Sequence, residues 1–324
     1  MIAGKYIAIA AFAMVPMLSG CGVGGLIGSS AKSETGNFPI EVQEIYLNPE
    51  QPKQRHAGVL EYRAGYELSN RSSEFGGLSG LILSPDGQSI TALTDHGNVL
   101  RARLVLDKSG RLLGLEGSEM FRLRDLDGRK LSRRLDKRDQ DTEAVERLAD
   151  GSYLVTFEIR HRILAYEDLK ARPTEFATPD ELKMAPRNGG LEAMTALPDG
   201  RILVMTEKLR AKKINDTAAK KSDYVGWLLS ADGETLGKIY WPKQGKFRPT
   251  DLAAMPNGDV LMLQRRYSAA GGAGARVSMI HRDQITIGNR MADIELANMA
   301  PPMSVDNFEG LAVHPAEDGG WWVY

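Results

Sequence analysis

Five stretches of the chain repeat one pattern of apolar and polar positions. They are GLSGLILSPDGQSITALTD (77–95), DTEAVERLADGSYLVTFE (141–158), GLEAMTALPDGRILVMTE (190–207), RPTDLAAMPNGDVLMLQR (248–265) and DNFEGLAVHPAEDGGWWVY (306–324). Each sets an alternating apolar run, a turn and a second β-rich run in that order. Asp-Gly or Asn-Gly between two such runs predicts a hairpin, because Asn, Asp and Gly tolerate the positive φ angles tight turns need. Successive copies start about 50–65 residues apart, which leaves room for a four-stranded sheet each time. A hairpin repeated at that period in an all-β chain predicts a β-propeller with five or six four-stranded blades. The segment before the first copy has strand-like pieces at 41–47 and 58–68 but no matching hairpin. It is expected to supply outer strands to the last blade and close the ring, since an open ring exposes sheet edges. The last copy stops at Tyr324 in mid-strand, so the chain is expected to lack the rest of one blade.

The amino terminus follows another pattern. Lys5 precedes an apolar run from Tyr6 to Met17, too short for a permanent span but long enough for the core of an export signal. Leu18-Ser19-Gly20-Cys21 then reads as a lipobox, with Cys21 as the acylated residue. The expected organisation is a signal peptide over 1–20, a Gly- and Ser-rich tether over 21–37 and one domain over 38–324. That makes an exported lipoprotein held in the cell envelope by its lipid, on the periplasmic or outer-membrane side. Cys21 is the chain's one cysteine, so no intramolecular disulfide is available and the domain depends on core packing.

Composition narrows the partners. With 41 basic and 42 acidic residues there is no general attraction to nucleic acid or to an anionic membrane. The expected partner is a small anionic ester, and the expected state is a monomer. Basic stretches at Arg133–Arg138 and Lys208–Lys221 read as solvated loops. The second directly follows Glu207 and is placed to attract an anion.

The repeat also aligns charged residues. Fifteen positions separate Ser79 from Thr94, Glu143 from Glu158, Glu192 from Glu207 and Thr250 from Arg265. In a hairpin, the start of the first strand lies beside the end of the second, so each pair meets at one end of its blade. Asp95, Asp251, Arg266 and Glu309 land at the same end, and all converge on the mouth of the central channel. Carboxylates so crowded raise one another's pKa unless a cation sits among them. Oxygen-only ligands suit calcium or magnesium rather than zinc, and Ca²⁺ is the cation expected. The metal candidates are Glu143, Glu158, Glu192, Glu207, Asp251 and Glu309. His96, beside Asp95, and His161, just past Glu158, are candidate general acids or bases. A structural role stays open beside this one, with the repeated glutamates bonding backbone amides at blade junctions. Neither a nucleophile elbow, a phosphate loop nor a paired-histidine zinc motif occurs.

The ordered series GGLSGL, the Asp-x-Glu hairpin ending in Phe-Glu, NGGLEAM, the Arg-Pro-Thr-Asp hairpin leading to Arg-Arg, and DNFEGLAV resembles the phytase-like family described as "esterase-like activity of phytase". The resemblance covers about residues 38–324 and implies a propeller, export and hydrolysis of phosphate or carboxylic esters. It carries Asp141, Glu143, Glu158, Glu192, Glu207, Asp251, Arg265, Arg266 and Glu309 over as site positions. Two departures stand out: Gln264 occupies a position that is acidic in the family pattern, and the family's final acidic strand lies beyond Tyr324. Three functions stay open. In a metal-assisted ester hydrolase, Glu143, Glu192, His96, Arg265 and Arg266 would carry the chemistry, with the arginines holding the anion. The others are a non-catalytic binding module and a lactonase-type propeller enzyme.

Overall fold

The computed structural model describes residues 6–13, 31–32, 38–108, 110–131, 139–269, 271–317 and 319–324. The lipobox, most of the tether and the Arg133–Arg138 stretch lie outside these residues.

The chain opens with strands β1 (Tyr6–Ala13), β2 (Ala31–Lys32), β3 (Glu41–Ile45), β4 (His56–Ala57) and β5 (Leu60–Ser69). Four sheets of four antiparallel strands follow. Blade one is β6 (Leu78–Leu83), β7 (Ser89–Thr94), β8 (Asn98–Leu106) and β9 (Leu112–Arg122). Blade two is β10 (Thr142–Arg147), β11 (Tyr153–Phe157), β12 (Arg162–Tyr166) and β13 (Thr174–Glu175). Blade three is β14 (Leu191–Ala196), β15 (Ile202–Arg210), β16 (Tyr224–Leu229) and β17 (Thr235–Trp241). Blade four is β18 (Arg248–Ala254), β19 (Val260–Ser268), β20 (Gly272–Ile280) and β21 (Ile294–Met299).

The last hairpin, β22 (Val313–Pro315) and β23 (Trp321–Val323), shares one sheet with the amino-terminal strands in the order β2-β3-β5-β1-β23-β22. In that sheet β1, which lies in the apolar run read above as an export signal, is parallel to both neighbours. The sheet is the fifth blade, so the open choice between five and six resolves to a five-bladed propeller. No α-helix occurs among the described residues.

The turns show why the hairpins form. In the first four copies the glycine takes a positive φ: Gly87 +70°, Gly151 +91°, Gly200 +86° and Gly258 +88°. The residue before it keeps a negative φ and uses its side chain instead. Asp86, Asp150, Asp199 and Asn257 each accept the amide two residues on, at 2.9–3.1 Å. Bonds such as Leu148 N to Ser152 O (2.8 Å) and Leu197 N to Arg201 O (2.7 Å) close these loops. The last three are three-residue loops and the first, closed by Ser84 N to Ser89 O (2.8 Å), has four; all hold the glycine in the left-handed position and none is a two-residue turn.

The core lies between blades. Five apolar clusters correspond to the five blade interfaces, and strand alternation feeds two of them from each blade. In β11, Val155 and Phe157 pack toward blade one while Leu154 packs toward blade three. In β19, Val260 and Met262 face blade three and Leu261 and Leu263 face blade five. Burial on both faces explains why these strands read as near-continuous apolar runs instead of clean alternation. The ring closes where His314 Nε2 lies 3.1 Å from the Pro85 carbonyl, joining the last hairpin to the first.

Candidate functional site

One irregularity recurs in all four complete hairpins and shapes the site. Pairing is regular up to the start of the innermost strand and then shifts, at Ser79–Gly80, at Glu143, at Glu192 and at Thr250. Such a bulge re-aims the side chain it carries. Just above it, the second strand ends in a residue bonded back to the start of the first. Asp95 N donates to Gly77 O (2.8 Å), Glu158 N to Asp141 O (2.7 Å) and Glu207 N to Gly190 O (3.0 Å). Arg265 pairs with Arg248 at the equivalent place.

The bulge carries different residue types in different blades. In blades two and three it aims Glu143 and Glu192 at the mouth. In blades one and four it carries hydroxyls that staple neighbouring blades: Ser79 Oγ donates to Thr142 O (3.1 Å) and Thr250 Oγ1 to Phe308 O (3.3 Å). Thr142 and Thr156 do the same, at 2.7 Å to Thr94 O and 3.0 Å to Leu191 O. Spacing of fifteen therefore overstates the pairs. Blade one has an extra residue, so Asp95 and not Thr94 is the equivalent of Glu158. The Thr94 hydroxyl instead accepts the amides of His96 and Asn98.

Among the described residues, two groups of three carboxylates have ligand oxygens within 4.8 Å of one another: Asp141, Glu143 and Glu158, and then Glu158, Glu192 and Glu207. Glu158 belongs to both. Its Oε1 also accepts the Gly190 amide at 3.3 Å. Glu158, Glu192 and Glu207 are buried.

Burial, then repulsion from Glu192, Glu158, Asp141 and Glu309, pushes the Glu143 carboxyl well above the usual range. Burial also raises Glu192, with Glu207 and Glu158 adding to it while Arg265 opposes. Glu158 is raised by burial despite its bonds to Glu192 and Gly190. Asp95 is pushed up to about 6 by burial and by Asp141. Glu309 is pushed up to about 7, mainly by burial, against the pull of Arg265.

Cations lie against Glu192, Glu207 and Glu309. Arg265 lies 3.1 Å from Glu309, 3.6 Å from Glu207 and 3.9 Å from Glu192, and it also donates to the Asn307 side chain. Burial works against its charge, but Glu309, Glu192, Glu207 and Glu143 hold its pKa above the ordinary value. Arg248 reaches Glu207 at 3.2 Å, and Lys208 pairs with the other oxygen of Glu207. Lys208 opens the basic stretch expected beside the mouth, whereas Arg248 and Asn307 are not among the residues the sequence singles out. The pairing of Arg248 with Arg265 at hairpin spacing was the signal that would have found Arg248.

Several expected members sit elsewhere. Asp251 is fully buried and accepts the amides of Leu252 (2.8 Å) and Leu311 (2.7 Å), joining blade four to the closing blade. Its carboxyl is driven well up by burial, and no mouth carboxylate features among the charges acting on it. Arg266 lies on the other face of β19 from Arg265, with its guanidinium 5.5 Å from the Phe247 ring centre, because side chains alternate along a strand. His96 is beside Asp95 and, when charged, opposes the rise of that carboxyl. Gln264 bonds Ser278 Oγ (2.6 Å) and Arg276 (2.7 Å) inside blade four, so this departure from the family pattern removes no carboxylate from the mouth.

A search of curated proteins returns no match. Similar solved structures include a protein of unknown function from Bacteroides caccae, 11% identical over 76% of this chain and 65% of that chain, with a TM-score of 0.34. The luciferin-regenerating enzyme is 13% identical over 74% of this chain and 81% of its own (TM-score 0.37). Virginiamycin B lyase from Staphylococcus aureus is 10% identical over 88% of each chain (TM-score 0.35). The model of the phytase-like family, described as esterase-like activity of phytase, matches residues 73–324. That stretch holds all five hairpin copies and every carboxylate of the mouth, and the chain belongs to the phytase-like family.

Proposed function

We propose that the propeller is a metal-assisted hydrolase of phosphate or carboxylic esters, with Asp141, Glu143 and Glu158 as the ligands of a calcium-like cation. The observation that carries this reading is the setting of Glu143. The charges acting on it most strongly are four carboxylates, and two of them offer oxygens within 4.8 Å of its own. The donors are all oxygens and partly or fully buried, which fits a hard cation. When bound, such an ion polarises the ester and lowers the pKa of a bound water. The chain's own residues would do the rest. Asp95 and Glu309, with carboxyls near neutrality, are suited to move a proton at the working pH. Arg265 serves as the internal counter-ion of Glu192, Glu207 and Glu309 rather than as the anion clamp. Lys208 and Arg248 supply positive charge at the rim for an anionic group.

Those same Arg265 pairs favour a second reading, a non-catalytic binding propeller whose ring is closed by ion pairs. Calcium separates the two. Under the hydrolase reading, millimolar calcium raises the melting temperature, chelator lowers it, and hydrolysis of an aryl phosphate or aryl ester follows the same titration. E143Q and E192Q remove most of the calcium shift, whereas E116Q on the outer surface keeps it. A melting temperature that stays flat from chelator to millimolar calcium leaves only the binding reading.

We further propose that the chain is exported and acylated at Cys21 and acts as a monomer at the membrane surface. Processing there would remove the segment that forms β1 and leave β5 and β23 facing its place. Fatty-acid labelling tests the anchor: label that persists on C21S rejects it.

A further inference from the structure

Ile159 immediately follows Glu158, the carboxylate common to both groups of three, and its backbone is left-handed with φ of +59°. Among the described non-glycine residues only Asn215, at +52°, shares that region. Asparagine visits it with little cost, but a β-branched side chain crowds the following carbonyl there. Blade one makes a shorter turn here, 95–97 against 158–161, and its positive φ falls on Gly97 (+68°), two residues after the mouth carboxylate Asp95 instead of one. Blade two therefore places its positive φ on a β-branched residue directly after its mouth carboxylate.

The strain is held in place by the linker between blades two and three. Ile159 N donates to Arg187 O (3.1 Å), and His161 Nε2 lies 3.1 Å from Pro186 O. Gly190 donates its amide to the Glu158 carboxylate (3.3 Å). The His161 ring packs where a Gly190 side chain would be, since a Cβ there would fall 2.1 Å from His161 Nδ1. One linker thus fixes the main chain just after Glu158, its carboxylate and the ring that covers the turn. Strained residues persist where the surroundings over-determine them, and they cluster at sites that need fixed geometry.

We infer that Ile159 is a positioning residue, whose left-handed turn, clamped to the linker, holds the Glu158 carboxylate at the junction of the two acidic groups. The inference rests on the cation reading of the mouth and adds to it a residue that touches no ligand. A turn of purely structural use would also be strained, so the test needs two readouts on the full chain.

In chelator, I159G and I159N should melt higher than the wild type by about 2–4 °C, as expected for relief of left-handed strain in a domain of this size. By titration calorimetry with calcium alone, I159G should bind about tenfold more weakly, the usual scale for loss of a supporting residue. I159N, which keeps the turn without glycine's freedom, should bind within about twofold of wild type on the same scale. Equal calcium affinity in wild type and I159G overturns the positioning role and leaves the cation reading intact. A melting temperature that falls or stays level in both variants overturns the strain on which the role depends. No calcium binding by the wild type overturns the cation reading, and the positioning role with it.

Discussion

Two assemblies of buried charge lie within a few strands of each other and are built on opposite terms. Inside blade four, Arg276 is enclosed by partners: Asp293 at 2.7 Å, Glu295 at 2.7 Å and the Gln264 side chain at 2.7 Å. Asp293 in turn accepts from Trp241 Nε1 (3.1 Å) and Gln244 (2.6 Å). Arg276 is ion-paired to both carboxylates, and Asp293 is held by hydrogen bonds through its other oxygen, as low dielectric demands of a structural ion pair. At the mouth, Asp95, Asp141, Glu143, Glu158, Glu192, Glu207 and Glu309 outnumber Lys208, Arg248 and Arg265. Several of these carboxyls are pushed upward mainly by burial and by one another. A matched network stabilises a fold whatever the solution holds. An unmatched one is a standing cost that protons or a bound cation relieve, and that excess marks it as a site.

The sharpest way to break this contrast is to unmatch the matched network. R276M strands Asp293 in the interior and should cost about 3–5 kcal/mol of stability, measured by denaturant unfolding. Calcium should not restore it. A loss below about 1 kcal/mol, the range of an exposed pair, would remove the distinction drawn here.

Next in size is the response to pH. Asp95 and Glu309 have folded pKa values of about 6 and about 7, raised above their unfolded values of 3.8 and 4.5. The folded state holds these protons more tightly, so the stability they contribute is full below pH 4 and lost as pH rises through 6 to 7. In chelator the protein should lose on the order of 4 kcal/mol between pH 5 and pH 8 from these groups. Millimolar calcium should flatten the profile by competing with the protons. A metal-free protein that gains stability over this interval would contradict the raised carboxyls.

The smallest expected effect sharpens the boundary of the site. Asp251 is acidic and faces inward, but its carboxylate accepts the backbone amides of Leu252 and Leu311. D251N should cost about 1 kcal/mol through weakened bonds to Leu252 and Leu311. Its calcium response should match that of the wild type. A calcium shift lost in D251N would return this residue to the cation site.

Some of this was legible along the chain. Five Asp-Gly, Asn-Gly or related turns, each between apolar runs, announce hairpins because the glycine and its acidic neighbour decide the turn locally. Their even spacing announces a ring. The placement of 41–47 and 58–68 beside the last hairpin was expected from the need to cover a sheet edge, and β3 and β5 lie there. Glu143, Glu158, Glu192, Glu207 and Glu309 were recognised as convergent because hairpin geometry carries sequence spacing directly into proximity.

What failed was whatever depends on a one-residue shift. The bulges at 79–80, 143, 192 and 250 leave no reliable mark in composition, yet they decide which side chain faces the axis. The extra residue in blade one moved the mouth position from Thr94 to Asp95. Alternation along β19 separated Arg265, at the mouth, from Arg266, over Phe247.

By itself, then, the sequence determined the hairpins, their number and the end of the disc where acid would gather, since turn chemistry and apolar periodicity act over a few residues. Tertiary structure alone decided which acids meet, that Arg265 is tied up as their counter-ion, that Asp251 and Gln264 belong to the framework, and that Ile159 sits strained beneath Glu158. Those outcomes depend on neighbours from other blades and on solvent exclusion. Neither is encoded within the span of a single hairpin.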